Sequence, residues 1–324
     1  MQHRSLIHIV LCAVLACTGL SAGAQSYPTK PITMVVPFPP GGVADTVGRP
    51  VAEAMSRHLK QSIVVENKGG AGGGIGMAQV AKSKGDGYTV LMSLSSLVVL
   101  PEADKILQRA PMFQVNQLKP IARFTADPTV LVVRSESPWK TYAEFMAYVK
   151  SNPGKISFGS SGNYGTMHVP MEQLKAATST FMLHVPYTGA GPAVLSLLSG
   201  QIEALSTGPA SVKQHIASGR LRALAHWGES RLASMPEVPS FKELGVPIQY
   251  SQWSGMFVPA DTPAAVVDAL RQAARFAAQD ARAVAALTSA GTSFMYQDAP
   301  DFERFVQADA KDMGALVKRI GKVD

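Results

Sequence analysis

The sequence predicts an α/β protein of two lobes, each a sheet flanked by helices. Three observations carry this reading. Short β-branched runs alternate with helix-patterned stretches along most of the chain. The alternation falls into two sets separated by extended segments, with no repeat and no low-complexity linker. A chain of 324 residues that is 46% hydrophobic is long and apolar enough for roughly two domains with full cores.

The first set opens with a strand at residues 32–36, followed at once by a Pro/Gly turn. Residues 47–59 are helical, with Val51, Met55 and Leu59 on one face. Pro50 places the helix start near Gly48 or bends the helix there. A strand at 63–65, a glycine-rich run at 69–76, a helix at 77–82 and a strand at 88–92 follow. Strands joined by helices through short links predict a parallel sheet.

The second set starts with a strand at 129–133. A helix at 142–150 is stopped by Asn152-Pro153-Gly154. Strands at 156–158, 183–185, 202–205 and 221–225 alternate with helices at 168–176 and 193–198. Residues 250–258 read as extended chain, and helices follow at 264–279 and 302–317. These last helices have no sheet of their own, so they are expected to return to the first lobe. The expected division is a leader at 1–24, a first lobe of 25–124 plus 252–324, and a second lobe of 125–251. A cleft is expected between the lobes, where the carboxyl ends of strands converge.

The leader is read from its own residues. Arg4, with His3 and His8, precedes an uncharged apolar stretch at 6–20, and Ala22-Gly23-Ala24 supplies an A-x-A pattern before Gln25. A cleaved secretory signal is expected; lipidation at Cys17 and an N-terminal anchor are the alternatives. Both cysteines of the chain, Cys12 and Cys17, lie in this segment. Cleavage leaves no thiol, which excludes disulfides, cysteine nucleophiles and thiolate metal sites. Removing Arg4 lowers the formal charge of +7 by one unit. The 30 Lys and Arg are scattered and not interleaved with aromatics, so small anions rather than nucleic acid are the expected partners.

Three loops carry polar chemistry. Pro37-Phe38-Pro39-Pro40-Gly41-Gly42 combines stiff prolines with glycines that permit close approach, and a helix start there offers free N–H groups to an anion. Asp45 is either the N-cap of that helix or a group that orients ligand-bound water. The run KGGAGGGIG at 68–76 lacks the spacing of a dinucleotide fingerprint or a Walker loop and reads as a close backbone crossing, with direct phosphate binding as the alternative. Residues 159–166, GSSGNYGT before His168, offer hydroxyls and unobstructed N–H groups, or are an ordinary Ser/Gly turn.

Enzyme motifs are missing. No G-x-S-x-G elbow occurs, and Ser137-Pro138-Trp139-Lys140 matches S-x-x-K without its companion motifs. His58, His168, His184, His215 and His226 show no metal-ligand spacing. The acids are scattered singly. No cofactor and no metal are expected.

The loops sit in a specific order of longer motifs. These include YPTKPITMVVPFPPGGVADTVGRPVAEAM at 27–55, IVVENKGGAGGGIGMAQVAKSKGDGYTVLM at 63–92, NPGKISFGSSGNYGTMHVPMEQL at 152–174 and WSGMFVPADTPAAVVDAL at 253–270. In this the sequence resembles the Bug family, the TctC-like solute receptors of tripartite tricarboxylate transport systems, over almost the whole mature chain. The resemblance implies a periplasmic binding protein of type II, Venus-flytrap architecture, which closes on a small solute, often a carboxylate, and passes it to membrane subunits. It implies first-lobe contacts from Phe38, Gly41, Gly42 and Asp45, and from Ser93 and Ser95. Second-lobe contacts would come from Ser160, Ser161, Gly162, Asn163, Thr166 and His168. Tyr187, Thr188 and Gly189 would close the far side, with Thr207 and Gly208 from the next strand end.

The chain departs from the family pattern in three places. The usual aspartate-bearing stretch is RAPMFQVNQLKPI at 109–121, Thr188 stands where lysine is usual, and Thr207 where an acid is frequent. A cleft poorer in charge argues against a ligand ammonium group. The expected ligand is a small organic anion or amide, with Phe38, Tyr164 and Tyr187 suited to an aromatic one. The chain is expected to act as a monomer. The alternatives are a sensor subunit for a signalling partner and a secreted serine hydrolase using Ser160 or Ser161.

Overall fold

The computed structural model describes residues 27–292 and 294–323. The expected leader at 1–24, with Cys12 and Cys17, lies outside the described residues. Among these residues no helix is long and apolar enough to cross a membrane, and no group of three or more His, Cys, Asp or Glu could hold a metal ion.

The chain begins with β1 (Ile32–Val36), α1 (Val43–Leu59), β2 (Ile63–Asn67), α2 (Gly74–Ala81) and β3 (Thr89–Leu94). It continues through α3 (Ser96–Ile106) to the long β4 (Leu118–Pro128) and then β5 (Val130–Arg134). The second lobe adds α4 (Tyr142–Ser151), β6 (Ser157–Ser160), α5 (His168–Thr178), β7 (Leu183–Pro186), α6 (Ala190–Leu198) and β8 (Ala204–Thr207). After α7 (Lys213–Ala217) and β9 (Leu221–His226), the chain returns as β10 (Ser251–Pro259). It ends with α8 (Ala264–Gln279), α9 (Ala281–Ala290), β11 (Gln297–Asp298) and α10 (Ala299–Ile320).

Two sheets result, with strand orders β11-β4-β10-β3-β1-β2 and β7-β6-β8-β5-β9. In the first, β1 lies parallel between β2 and β3, with Ile32 opposite Ile63 and Thr33 opposite Thr89. β10 runs antiparallel to β3 and β4. In the second, β6 is parallel to β7 and β8, while β5 is antiparallel to β8 and β9. The sheets are therefore mixed, which corrects the parallel expectation. β4 and β10, the antiparallel pair at the centre of the first sheet, are the strands that join the lobes, and the short β11 adds a further antiparallel edge to β4. The direction of β4 and β10 is set by the crossing rather than by a helical βαβ connection.

The crossing is narrow. β4 stays on the first sheet to Pro128, and the Trp227 N–H donates to the Thr129 carbonyl at 3.0 Å. The Tyr250 N–H then donates to the Trp227 carbonyl at 3.1 Å, tying the outgoing and returning chains together. The C-terminal helices pack on the first lobe, where Phe302 of α10 contacts Trp253 and Phe257 of β10 with ring centroids 5.5 and 5.2 Å apart.

Pro50 neither delays nor starts α1, which runs from Val43 straight through it. The buried face of Val43, Val47, Val51 and Met55 holds the helix on the sheet and offsets the one lost backbone bond. Gly48 lets the helix sit close, since a Cβ there would lie 3.3 Å from Met92 Cγ.

Candidate functional site

The turn after β1 is built by Asp45. Its carboxylate accepts from the Gly41 N–H at 3.1 Å, from Arg49 Nε and Nη2 at 3.0 and 2.7 Å, and from Asn67 Nδ2 at 2.9 Å. Burial pushes this carboxyl up, but the Arg49, Asn67 and Gly41 donors outweigh it and hold it below the usual carboxylate range. Asn67 Nδ2 also donates to the Phe38 carbonyl at 2.9 Å. Asp45 is neither the N-cap nor a group turned to a ligand: its acceptor capacity is spent on the turn. The N-cap is Gly42, which brings no side chain over the first N–H groups of α1. Gly41, at φ +80°, needs glycine for this turn.

On the second lobe, α6 starts in the same manner, from Gly189 without a side-chain cap. The two helix ends meet across the cleft. A Cβ on Gly42 would lie 3.5 Å from Ala190 Cβ, and one on Gly189 would lie 2.4 Å from Pro39 Cδ. Nearby, a Cβ on Gly162 would fall 2.9 Å from Gly72 N, and one on Gly208 would fall 2.8 Å from Val43 Cγ2. The glycine-rich run at 68–76 thus meets second-lobe backbone at close range.

The 159–166 loop divides its residues between two jobs. Ser160 is fully buried, its Oγ 2.6 Å from His184 Nε2 and accepting from the Gly162 N–H at 3.1 Å. His168 accepts from the Tyr164 N–H on Nδ1 at 2.9 Å, holds Nε2 3.3 Å from Glu172 and stacks on His184 with centroids 4.0 Å apart. Burial, then the His168 charge, push His184 down to about 3. Ser160 and His168 therefore support the loop from inside the lobe and line neither the cavity between the lobes nor the groove outside it. The hydrolase reading loses its nucleophile with them, because Ser160 is sealed from solvent and Ser161 Oγ has no base beside it. Tyr164 is also removed from any ligand role, since its hydroxyl engages Gly321 and Val323.

Between the lobes lies a small cavity, with about 10 Å³ open to the centre of a water molecule. Phe38, Gly42, Val43 and Leu94 line it from one side, and Ser161, Thr166, Met167, Ala190 and Thr207 from the other. Gln252 of the returning strand completes the wall. Ser161 Oγ, Thr207 Oγ1 and Gln252 Oε1 are buried without a hydrogen-bond partner among the described residues. No charged side chain lines the cavity. Ser93 and Ser95, expected here, turn elsewhere: Ser93 Oγ donates to the Leu94 carbonyl at 3.3 Å and Ser95 Oγ lies 3.4 Å from Tyr250 Oη. Leu94 presents itself between them.

Outside the cavity, the same loops line a groove of about 580 Å³ with Ala71, Arg109, Gly162, Asn163, Pro186, Tyr187 and Thr188. Five residues expected from the sequence thus line the cavity (Phe38, Gly42, Ser161, Thr166, Thr207), and four line the groove (Gly162, Asn163, Tyr187, Thr188). Gly41, Gly189 and Gly208 shape the cavity's surroundings. Gln252, Val43, Met167 and Ala190 were not anticipated. Gln252 had one available signal, as a lone amide next to Trp253 on the crossing strand.

The molecule resembles proteins of known type. It is 37% identical over 262 residues to the UPF0065 protein of the tcbD-tcbE intergenic region of a Pseudomonas sp., covering 79% of this chain and 77% of that one. The structure of the periplasmic binding protein BugD matches with a TM-score of 0.87 at 31% identity, over 91% of this chain and 99% of that one. MatC from Rhodopseudomonas palustris, solved with bound malate, matches with a TM-score of 0.82 at 27% identity, over 90% and 99% of the two chains. The sequence profile described as "Tripartite tricarboxylate transporter family receptor" matches residues 47–322. The two-lobed α/β chain belongs to this family of periplasmic solute-binding receptors, and it is a receptor rather than an enzyme.

Proposed function

We propose that the chain captures a small carboxylate-bearing or amide solute lacking an ammonium group, and delivers it to tripartite-type membrane subunits. The observation that carries the reading is the set of three unpartnered polar atoms, Ser161 Oγ, Thr207 Oγ1 and Gln252 Oε1, around one cavity. Buried polar groups without partners cost about 1–3 kcal/mol each, so a ligand that satisfies them gains correspondingly. Two uncapped helix starts, α1 and α6, aim N–H groups and positive dipole ends toward the same space. Rotation of the Gln252 amide turns its NH2 inward as a further donor. A carboxylate is acceptor-only and fits such a donor set, whereas an ammonium finds no acid on the wall.

The cavity is too tight for a carboxylate while the lobes rest against each other. Binding therefore requires the lobes to part about the crossing strands and close again, with residues 27–128 plus 251–323 moving against 130–249. The malate bound to MatC supports a carboxylate as the ligand class.

Calorimetric titration with carboxylates, their amides and the matching amino acids tests this. Micromolar or tighter binding of a carboxylate without an amine is expected. Tight binding of aspartate or glutamate alone would overturn it.

A further inference from the structure

The cavity and the groove are lined by neighbouring residues of the same loops. Ser161 faces the cavity and its neighbours Gly162 and Asn163 the groove; Ala190 faces the cavity and Thr188 the groove. A cavity of about 10 Å³ is too small for a whole solute, and the groove of about 580 Å³ is the larger space beside these loops.

The groove has one cation. Arg109 follows α3 where Gln108, at φ +55°, turns the chain back. Its N–H bonds to the Asp104 carbonyl at 3.0 Å, and its Nε donates to Asp104 Oδ1 at 2.5 Å. Asp104 is 4% exposed, so the guanidinium is held from a buried anchor. Nε is the only guanidinium atom given a partner among the described residues, which leaves the Nη edge to the groove. The Asp104–Arg109 pair is formally neutral, so it does not act by net charge. It offers fixed, planar N–H donors, the geometry that grips a carboxylate with two parallel bonds.

We propose that Arg109 sets ligand specificity, presenting its free Nη edge in the groove to a second anionic group on a solute whose first carboxylate occupies the cavity. Asn163 and Thr188 line the same groove and can add polar donors to the ligand. The inference rests on the carboxylate reading of the cavity.

The test titrates the full-length mature chain with linear dicarboxylates and with monocarboxylates of the same carbon count. Dicarboxylates should bind about tenfold more tightly than their partners, and Arg109→Gln should abolish that difference between the two classes. Arg109→Lys should restore only part of it. If Arg109→Gln is poorly folded because Asp104 loses its partner, Asp104→Asn combined with Arg109→Gln is read in its place. A dicarboxylate advantage that survives the substitution, or none in the parent protein, overturns the role of Arg109 alone. Binding of neither class overturns the carboxylate reading of the cavity, and this proposal with it.

Discussion

The Tyr164 hydroxyl donates to the Gly321 carbonyl at 2.8 Å and accepts the Val323 N–H at 3.1 Å. Tyr164 belongs to the loop that carries Ser161 and Thr166, and Gly321 follows α10, a helix of the first lobe. The pair links the lobes outside the two crossing strands, as does Lys213 Nζ, which donates to the Thr288 carbonyl at 3.2 Å. Tyr164 is 1% exposed and sits at φ +56°, an unfavourable conformation for a bulky residue that the surrounding contacts must hold.

Tyr164→Phe removes both bonds and keeps the ring. A loss of about 1–2 kcal/mol is expected, read as a fall of a few degrees in Tm, with faster proteolysis after α10. An unchanged Tm would mean that the link contributes nothing net.

Gly162→Val addresses the close approach of the lobes. The new Cβ would fall 2.9 Å from Gly72 N, against backbone that cannot swing aside, at a φ of +108°. Stability should drop by roughly 1–3 kcal/mol from the backbone strain. Affinity should drop by more than tenfold because the lobes cannot meet. Unaltered affinity in calorimetry would place the ligand elsewhere.

Thr207→Val separates stability from binding. The Thr207 hydroxyl is fully buried and unpartnered, so an isosteric apolar side chain should stabilise the free protein by about 1 kcal/mol. The same change should weaken carboxylate binding about tenfold. Paired thermal melts and titrations read the two effects independently.

Asp309 makes the stability depend on pH. Burial raises its carboxyl to about 6 from 3.8, against the Trp253 Nε1 bond at 2.7 Å and the Arg123 charge, with Asp312 adding in the same direction. The folded state holds this proton more tightly than the unfolded chain. Its contribution is therefore greatest below the unfolded value and declines as pH rises through about 4 to 6, by at most about 3 kcal/mol. Asp309→Asn keeps an acceptor for Trp253 and should raise stability near neutral pH. It should also flatten urea-derived stability across that window.

Much of this architecture is legible in the sequence because it is periodic. α8 buries one regular face, β1 and β3 are short apolar runs buried almost throughout, and the proline and glycine loops mark strand ends. The missed elements break the pattern for identifiable reasons. α3 is buried from Ser96 through Leu100 and carries Pro101, so it shows no amphipathic period. β4 contains Lys119, Pro120 and Arg123, which read as loop. In the structure, Arg123 lies over the Phe305 ring at 4.5 Å, so its charge is covered by packing invisible in sequence.

Site residues divide in the same manner. Ser161 and Thr207 were legible as short hydroxyl residues at strand ends facing a cleft. Ser160 and His168 share that sequence context, yet the pleat turns Ser160 inward to His184, and the helix start turns His168 onto Tyr164. Gln252 alternates with Trp253 on one strand, so one faces the cavity and the other Asp309. Only the crossing direction decides which.

The most direct measurement is a crystal structure grown with the carboxylate that gives the largest thermal shift. The predicted result places one carboxylate between the lobes, within hydrogen-bond distance of Ser161 Oγ, Thr207 Oγ1 and the first N–H groups of α1 and α6. A carboxylate bound away from that cavity, with these hydroxyls still unpartnered, would contradict the account.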